Sequence, residues 1–208
     1  MIIGIIDDFV DFGVGLGRRL SDKHDIIVGT SEDRYVAAAT SSTIRSYIQD
    51  AENNIRFTSF RETFKEADII ILLYPLDFAV QIARVDPKDI EGKIIISTGS
   101  PSVSTVKGGY ALKIKKMLPE SAKIVTALAN IACYKWQTFD EVPDYTVPVC
   151  GDDAEAKKTV IKLINEIPGF YGLDAGPLAI SELIENLEPL AINIEQINCM
   201  RDLTINIK

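Results

Sequence analysis

Residues 5–20 read Ile5-Ile6-Asp7-Asp8-Phe9-Val10-Asp11-Phe12-Gly13-Val14-Gly15-Leu16-Gly17-Arg18-Arg19-Leu20, and this stretch decides the fold. An apolar, β-branched run at residues 2–6 leads into it, short enough for one strand. Glycines and then Arg18-Arg19-Leu20 follow with the pattern of a helix. Strand, tight turn and helix in that order open a doubly wound sheet, and the turn is where such a sheet holds nucleotide phosphates. Here the turn carries Asp7, Asp8 and Asp11, where a phosphate calls for glycine and bare N–H groups. The residues further along have to say whether a ligand has survived with the fold.

Working outward, the same alternation continues. Residues 26–29, 69–73, 93–97 and 123–127 read as further strands, nearly all apolar, as suits parallel strands covered on both faces. Residues 12–22, 34–50, 60–66, 78–83 and 111–118 read as the helices between them. The pattern predicts an α/β fold, a right-handed doubly wound (Rossmann-like) parallel sheet, with ligands at the carboxyl ends of the strands. A polar, proline-bearing stretch at residues 139–144 marks a soft boundary, giving a Rossmann-like domain at 1–142 and a small α-rich lobe at 143–208. In the lobe, residues 145–150 read as a strand and 154–166 as a helix. A Gly-rich link runs to Leu173, and 178–203 reads as one long apolar helix that Pro189 kinks or breaks.

Composition narrows the function. The chain has 208 residues, 47% hydrophobic and 25% charged, enough for a buried core. A net charge of −8 argues against nucleic acid, whose phosphates need clustered Lys and Arg. Cys133, Cys150 and Cys199 form no CxxC pair and fit reduced thiols in a cytoplasmic setting. No signal peptide is evident, and the longest apolar run, residues 69–76, is too short to span a bilayer. No Ser–His–Asp set and no metal-ligand spacing can be assembled. His24 reads as a surface turn residue. No catalytic side chain is assigned.

The stretch VPVCGDDAEAKKTVIKLINEIPGFYGLDAGPL from Val147, followed by LIENLEPLAINI, resembles the carboxy-terminal part of F420-dependent NADP oxidoreductases. Strand, turn, GLGRRL, HDIIVGTS and DIIILLYP match the amino-terminal half by spacing, so the resemblance covers essentially the whole chain. It implies hydride transfer between NADP and a 5-deazaflavin, F420 or a flavin-like relative. That chemistry rests on the two coenzymes and needs no titrating side chain. The family's first turn resembles G-G-T-G-x-x-G; here Asp7, Asp8, Phe9, Val10, Asp11, Phe12 and Gly13 stand in those places, so only the last glycine is kept. Gly13, with Gly17 one turn on, serves close packing of the helix on the sheet. The missing glycines held the pyrophosphate. Asp11 is placed to cap the helix, supplying internally the anion that a phosphate would bring.

Other positions follow from the resemblance. Thr30 and Ser31 stand at the adenosine end, where Glu32 favours NAD over NADP or simply complements a helix start. Tyr74 and Pro75 stand where the family lines the nicotinamide ribose. Asn130 and Ile131 lie where relatives approach the deazaflavin, with Ala129 in place of a histidine. Gly176-Pro177 resembles the turn walling the second coenzyme, and is expected to aim free helix N–H groups at the cleft. The apolar excess of residues 178–203 predicts a homodimer through that helix. Three functions remain open: a nicotinamide or deazaflavin reductase, a non-catalytic relative binding another small molecule, and an assembly protein.

Overall fold

The structure, a computed structural model, describes residues 1–7, 11–31, 54–73, 85–99, 109–132, 135, 136, 143–201 and 203–207; of Asp11 it describes the backbone only. Among these, eight strands form one sheet in the order β3-β2-β1-β4-β5-β6-β7-β8. β1 (Ile2–Asp7), β2 (Asp25–Thr30), β3 (Ile55–Ser59), β4 (Ile69–Leu73), β5 (Ile94–Ser97) and β6 (Lys123–Thr126) all run parallel. That order is the doubly wound arrangement with its crossover between β1 and β4. β7 (Tyr145–Gly151) runs antiparallel to β6, and β8 (Phe170–Gly176) parallel to β7, so the carboxy-terminal segment extends the same sheet.

Helices cover both faces. On one, α1 (Asp11–Leu20) brings Val14, Leu16 and Leu20 onto Ile3, Ile5, Ile26 and Val28. There α4 (Ala154–Asn165) adds Val160, Leu163 and Ile164. On the other, α2 (Phe60–Glu66) and α3 (Tyr110–Lys115) bury Phe60, Phe64, Ala111 and Ile114 against Ile6, Ile70, Leu72 and Ile95. Successive strand residues thus go to opposite cores, and both cores are apolar. This is why the central strands read as continuous apolar runs. The close seating of α1 requires glycine: a Cβ on Gly17 would lie 2.9 Å from Ile26 Cγ2, and one on Gly13 3.0 Å from Asp7 Cβ.

Several local readings change. The long helix of residues 178–203 is three pieces: a 3-10 turn (Leu178–Ile180), α5 (Ser181–Glu185) and α6 (Leu187–Asn198). The break falls at Asn186. Pro189 sits inside the first turn of α6, where its missing N–H costs little. Cys199 ends α6 in the left-handed conformation, φ 51°. Two strands went unread. β3 buries only Ile55 fully, and β8, taken for a Gly-rich link, buries only Phe170. The helices expected at 34–50 and 78–83 and the boundary at 139–142 lie outside the described residues. Among the described residues no helix is long and apolar enough to cross a membrane.

Candidate functional site

Asp7 is the last residue of β1, and strand alternation turns its side chain to the α1 face with Ile3 and Ile5. It is 0% exposed, and Gly13 N–H donates to its Oδ2 at 2.6 Å. The absent side chain of Gly13 is what lets the helix come down over this carboxylate. The positive end of α1 therefore already holds an anion. That carboxylate is Asp7; the side chain of Asp11, the expected cap, lies outside the described residues, as do Phe9 and Val10. Phe12 is partly buried against the core cluster beneath α1.

On the neighbouring strand, the register Ile6↔Gly29 puts Thr30 beside Asp7, and alternation turns it to the same face as Val28. Thr30 is fully buried, and its Oγ1 makes no hydrogen bond to the protein. Ser31 follows, half-buried. Tyr74 and Pro75 lie outside the described residues. Leu73, just before them, opens a recess at the carboxyl ends of the parallel strands.

Thr98, Gly99, Leu128 and Ile131 continue the lining of that recess, and Trp136 and Glu188 close it. Thr98 is held by donating from Oγ1 to the Leu72 carbonyl at 2.8 Å. Gly99 and Leu128 take positive φ, 76° and 63°, where the chain turns away from β5 and β6. The indole of Trp136 stacks on Phe170 with ring centroids 5.4 Å apart. The wall combines four apolar side chains, Leu73, Leu128, Ile131 and Trp136, with Thr98, Gly99 and Glu188. Ile131 is in it. Neighbouring Asn130 is tied to backbone instead, donating from Nδ2 to the Thr146 carbonyl at 2.8 Å and to the Ile205 carbonyl at 3.4 Å. Trp136 and Glu188 were not singled out from the sequence. The signal for Glu188 was an acid inside an apolar helix pattern, and it is buried here, at the start of α6.

Gly176 and Pro177 are not among the lining residues. Gly176 sits at φ 107° with open space where a Cβ would project. Lys157 Nζ donates to both Asp174 oxygens, at 2.7 and 2.9 Å, and to the Gly176 carbonyl at 3.2 Å. Pro177 caps the 3-10 turn, and the Leu178 N–H donates to Asp152 Oδ1 at 3.0 Å. The amide expected to be free is thus occupied. The Lys115 ammonium on Asp152, with that amide second, holds its carboxyl below the ordinary range. Asp153 caps α4 through the Ala156 N–H, so this acidic pair serves two helix starts.

Nearer the recess, Glu185 of α5 accepts from the N–H groups of Tyr110 and Ala111 and fastens α5 to the start of α3. Burial pushes its pKa up, against those two bonds. Cys150, fully buried on β7, is likewise pushed up by burial, which makes it a poor nucleophile. His24 is not a surface residue: it is buried, and its Nε2 pairs with Glu166 Oε2 at 2.6 Å, tying the turn after α1 to the end of α4. Among the described residues no group of three or more His, Cys, Asp or Glu could hold a metal.

No family model matches the chain. An F420-dependent NADP reductase of Methanocaldococcus jannaschii is 30% identical over 206 residues, 93% of this chain and 92% of the relative. A second, from Methanothermobacter marburgensis, is 23% identical, with 100% of this chain and 98% of the relative covered. The crystal structure of a candidate F420-dependent NADP reductase from Arthrobacter sp. FB24 superposes with a TM-score of 0.82 at 17% identity, covering 99% of this chain and 98% of that one. The structural likeness carries the fold. The Methanocaldococcus match carries the ancestry, and on it the chain belongs to the F420-dependent NADP reductase family.

Proposed function

We propose that the chain is an oxidoreductase that passes hydride between a nicotinamide nucleotide and a deazaflavin coenzyme, with the reacting rings at the carboxyl-end recess. The carrying observation is the place of the recess, at the ends of β4, β5 and β6 in a sheet whose order puts ligands there. Relatives named for that reaction match nearly the whole chain, which supports the same reading.

By sequence, the turn after β1 lacks the glycines that let a backbone approach a dinucleotide pyrophosphate. Its Gly13 amide is taken by Asp7, and a carboxylate about 6 Å from a phosphate charge costs roughly 3 kcal/mol at an effective dielectric near 20. Weak nucleotide binding, with millimolar dissociation constants for NADPH and NADH, is the expectation. The same contact favours a second reading, a relative whose cleft takes another small molecule. An anaerobic assay of NADP reduction by reduced deazaflavin separates them, because turnover supports the first. No turnover, with the deazaflavin bound but neither nucleotide, supports the second.

A homodimer belongs to the proposal. Leu183, Leu190 and Ile197 stand seven residues apart on α5 and α6 and are 70%, 49% and 72% exposed. Exposed apolar side chains on these two helices are the kind of surface an isologous pair buries.

A further inference from the structure

We propose that Glu185 is a positioning residue for the coenzyme ring: it holds the Gly99 wall of the recess in place by fastening it, through α5, to the start of α3. The proposal rests on the reading above, that a deazaflavin ring lies in this recess, and adds what sets the shape of the recess.

Glu185 is not among the residues that line the recess. Its stem and its head have separate partners. Along the stem, a Cβ on Gly99 would lie 3.2 Å from Glu185 Cγ and 3.4 Å from Glu185 Cβ, so the Gly99 backbone rests on this side chain. Gly99 does line the recess, at φ 76°, a conformation that suits glycine. At the head, one carboxylate oxygen accepts from Ala111 N–H at 2.9 Å and the other from Tyr110 N–H. Gly109 leaves room for that head: a Cβ there would stand 2.9 Å from Glu185 Oε2 and 2.9 Å from Ser181 Oγ.

The helix that carries Glu185 is anchored as well. Ile184 packs with Cys150 of β7 and with Ala129, just past β6. Ala129 Cβ also lies 3.5 Å from the Cβ position of Gly99, so the strand ends, α5 and the recess wall meet at one point. Packing holds α5 on one side and two amides hold its carboxylate on the other, which keeps the stem against Gly99. Only 8% of Glu185 is exposed, and bonds to a carboxylate are stronger in so dry a setting than in water. A wall of bare backbone is where a flat ring comes closest. A displacement of about 1 Å at such a wall is enough to spoil a reacting geometry.

Trp136, the chain's only tryptophan, lines the same recess, so its fluorescence reports there without a label. Oxidised deazaflavin coenzyme is the probe, titrated into the parent chain and into Glu185→Gln and Glu185→Asp below the onset of melting. Glutamine keeps one acceptor for the two amides. Aspartate keeps both oxygens on a stem one methylene shorter. Each variant should bind the deazaflavin on the order of tenfold more weakly, the size of effect expected from a residue that acts through its neighbours. In the ligand-free variants, Trp136 emission and its quenching by acrylamide should also shift.

A merely structural Glu185 would change the melting temperature and leave the binding constant of the folded protein where it was. That outcome in a folded variant overturns the proposal, and either variant serves if the other fails to fold. Equal deazaflavin binding by parent and variants thus sinks this proposal and leaves the functional reading standing. A parent that binds no deazaflavin sinks the functional reading. Trp136 in the ligand-free proteins then decides whether Glu185 shapes the recess, a shifted signal supporting it and an unchanged one refuting it.

Discussion

Glu185 carries two opposing effects on one carboxylate. Only 8% of it is exposed, and desolvation raises its pKa by more than the bonds from Tyr110 and Ala111 lower it. A raised pKa means that the folded protein keeps this proton to higher pH than the unfolded chain. The associated stability is fully present below the ordinary glutamate value, about 4.3, and is lost as pH rises through the folded value. Glu185→Gln removes that titration and keeps one acceptor for the α3 amides. Melting temperatures across pH 4 to 8 should show the variant gaining on the parent as pH rises. A constant difference would mean that the bonds fully offset the burial. Asp7 belongs to the same scale. Its type and place are plain in the sequence, yet its contact with the start of α1 is not. That contact follows from Asp7 ending a strand and facing inward beneath a glycine.

At the scale of elements, α1 is held to the sheet by what it lacks. A Cβ at Gly17 would meet the branched Ile26 side chain at 2.9 Å, with Ile5 Cδ1 at 3.6 Å behind it. Both isoleucines are packed core residues with little room to yield. Gly17→Ala should therefore cost about 1 to 3 kcal/mol, despite alanine's better helix propensity. Urea unfolding with an unchanged slope and a lowered midpoint would register it. An unchanged or raised midpoint would mean that α1 shifts freely. The six inner strands were legible as elements because both faces are buried and most positions had to be apolar. β3 and β8 lie at the two edges of the sheet, where one buried anchor each, Ile55 and Phe170, leaves too little pattern to read. The break at Asn186 was hidden for another reason: apolar spacing continues across it although α5 ends at Glu185 and α6 starts at Leu187.

For the whole molecule, the exposed apolar side chains of α5 and α6 make an assembly prediction. Placing lysine at Leu190 and Ile197, both exposed in the single chain, should leave the melting of the monomer fold near the parent's and abolish pairing. Sedimentation velocity at micromolar concentration reads the outcome. A parent chain that sediments as a monomer removes the homodimer. The recess is also a product of the whole molecule. Its lining comes from β4, from the turns after β5 and β6, from Trp136 and from Glu188 of α6. Segments 115 residues apart in sequence, from Leu73 to Glu188, meet there, and no local spacing announces such a meeting.

Apolar strand runs, their alternation with helices, the glycines at 13 and 17 and the family resemblance were determined by the sequence alone. Each rests on local chemistry: a strand covered on both faces must be apolar, and a helix pressed on a sheet must be small where it touches. Tertiary structure decided that Asp7 reaches the start of α1, since that depends on the face to which a strand turns its last residue. It decided that the Leu178 amide is occupied by Asp152 and that His24 is buried against Glu166. It also decided that Glu188 stands in the recess. These are contacts between residues distant along the chain, set by how packed layers meet, and the free energy that selects them comes from burial of the whole core.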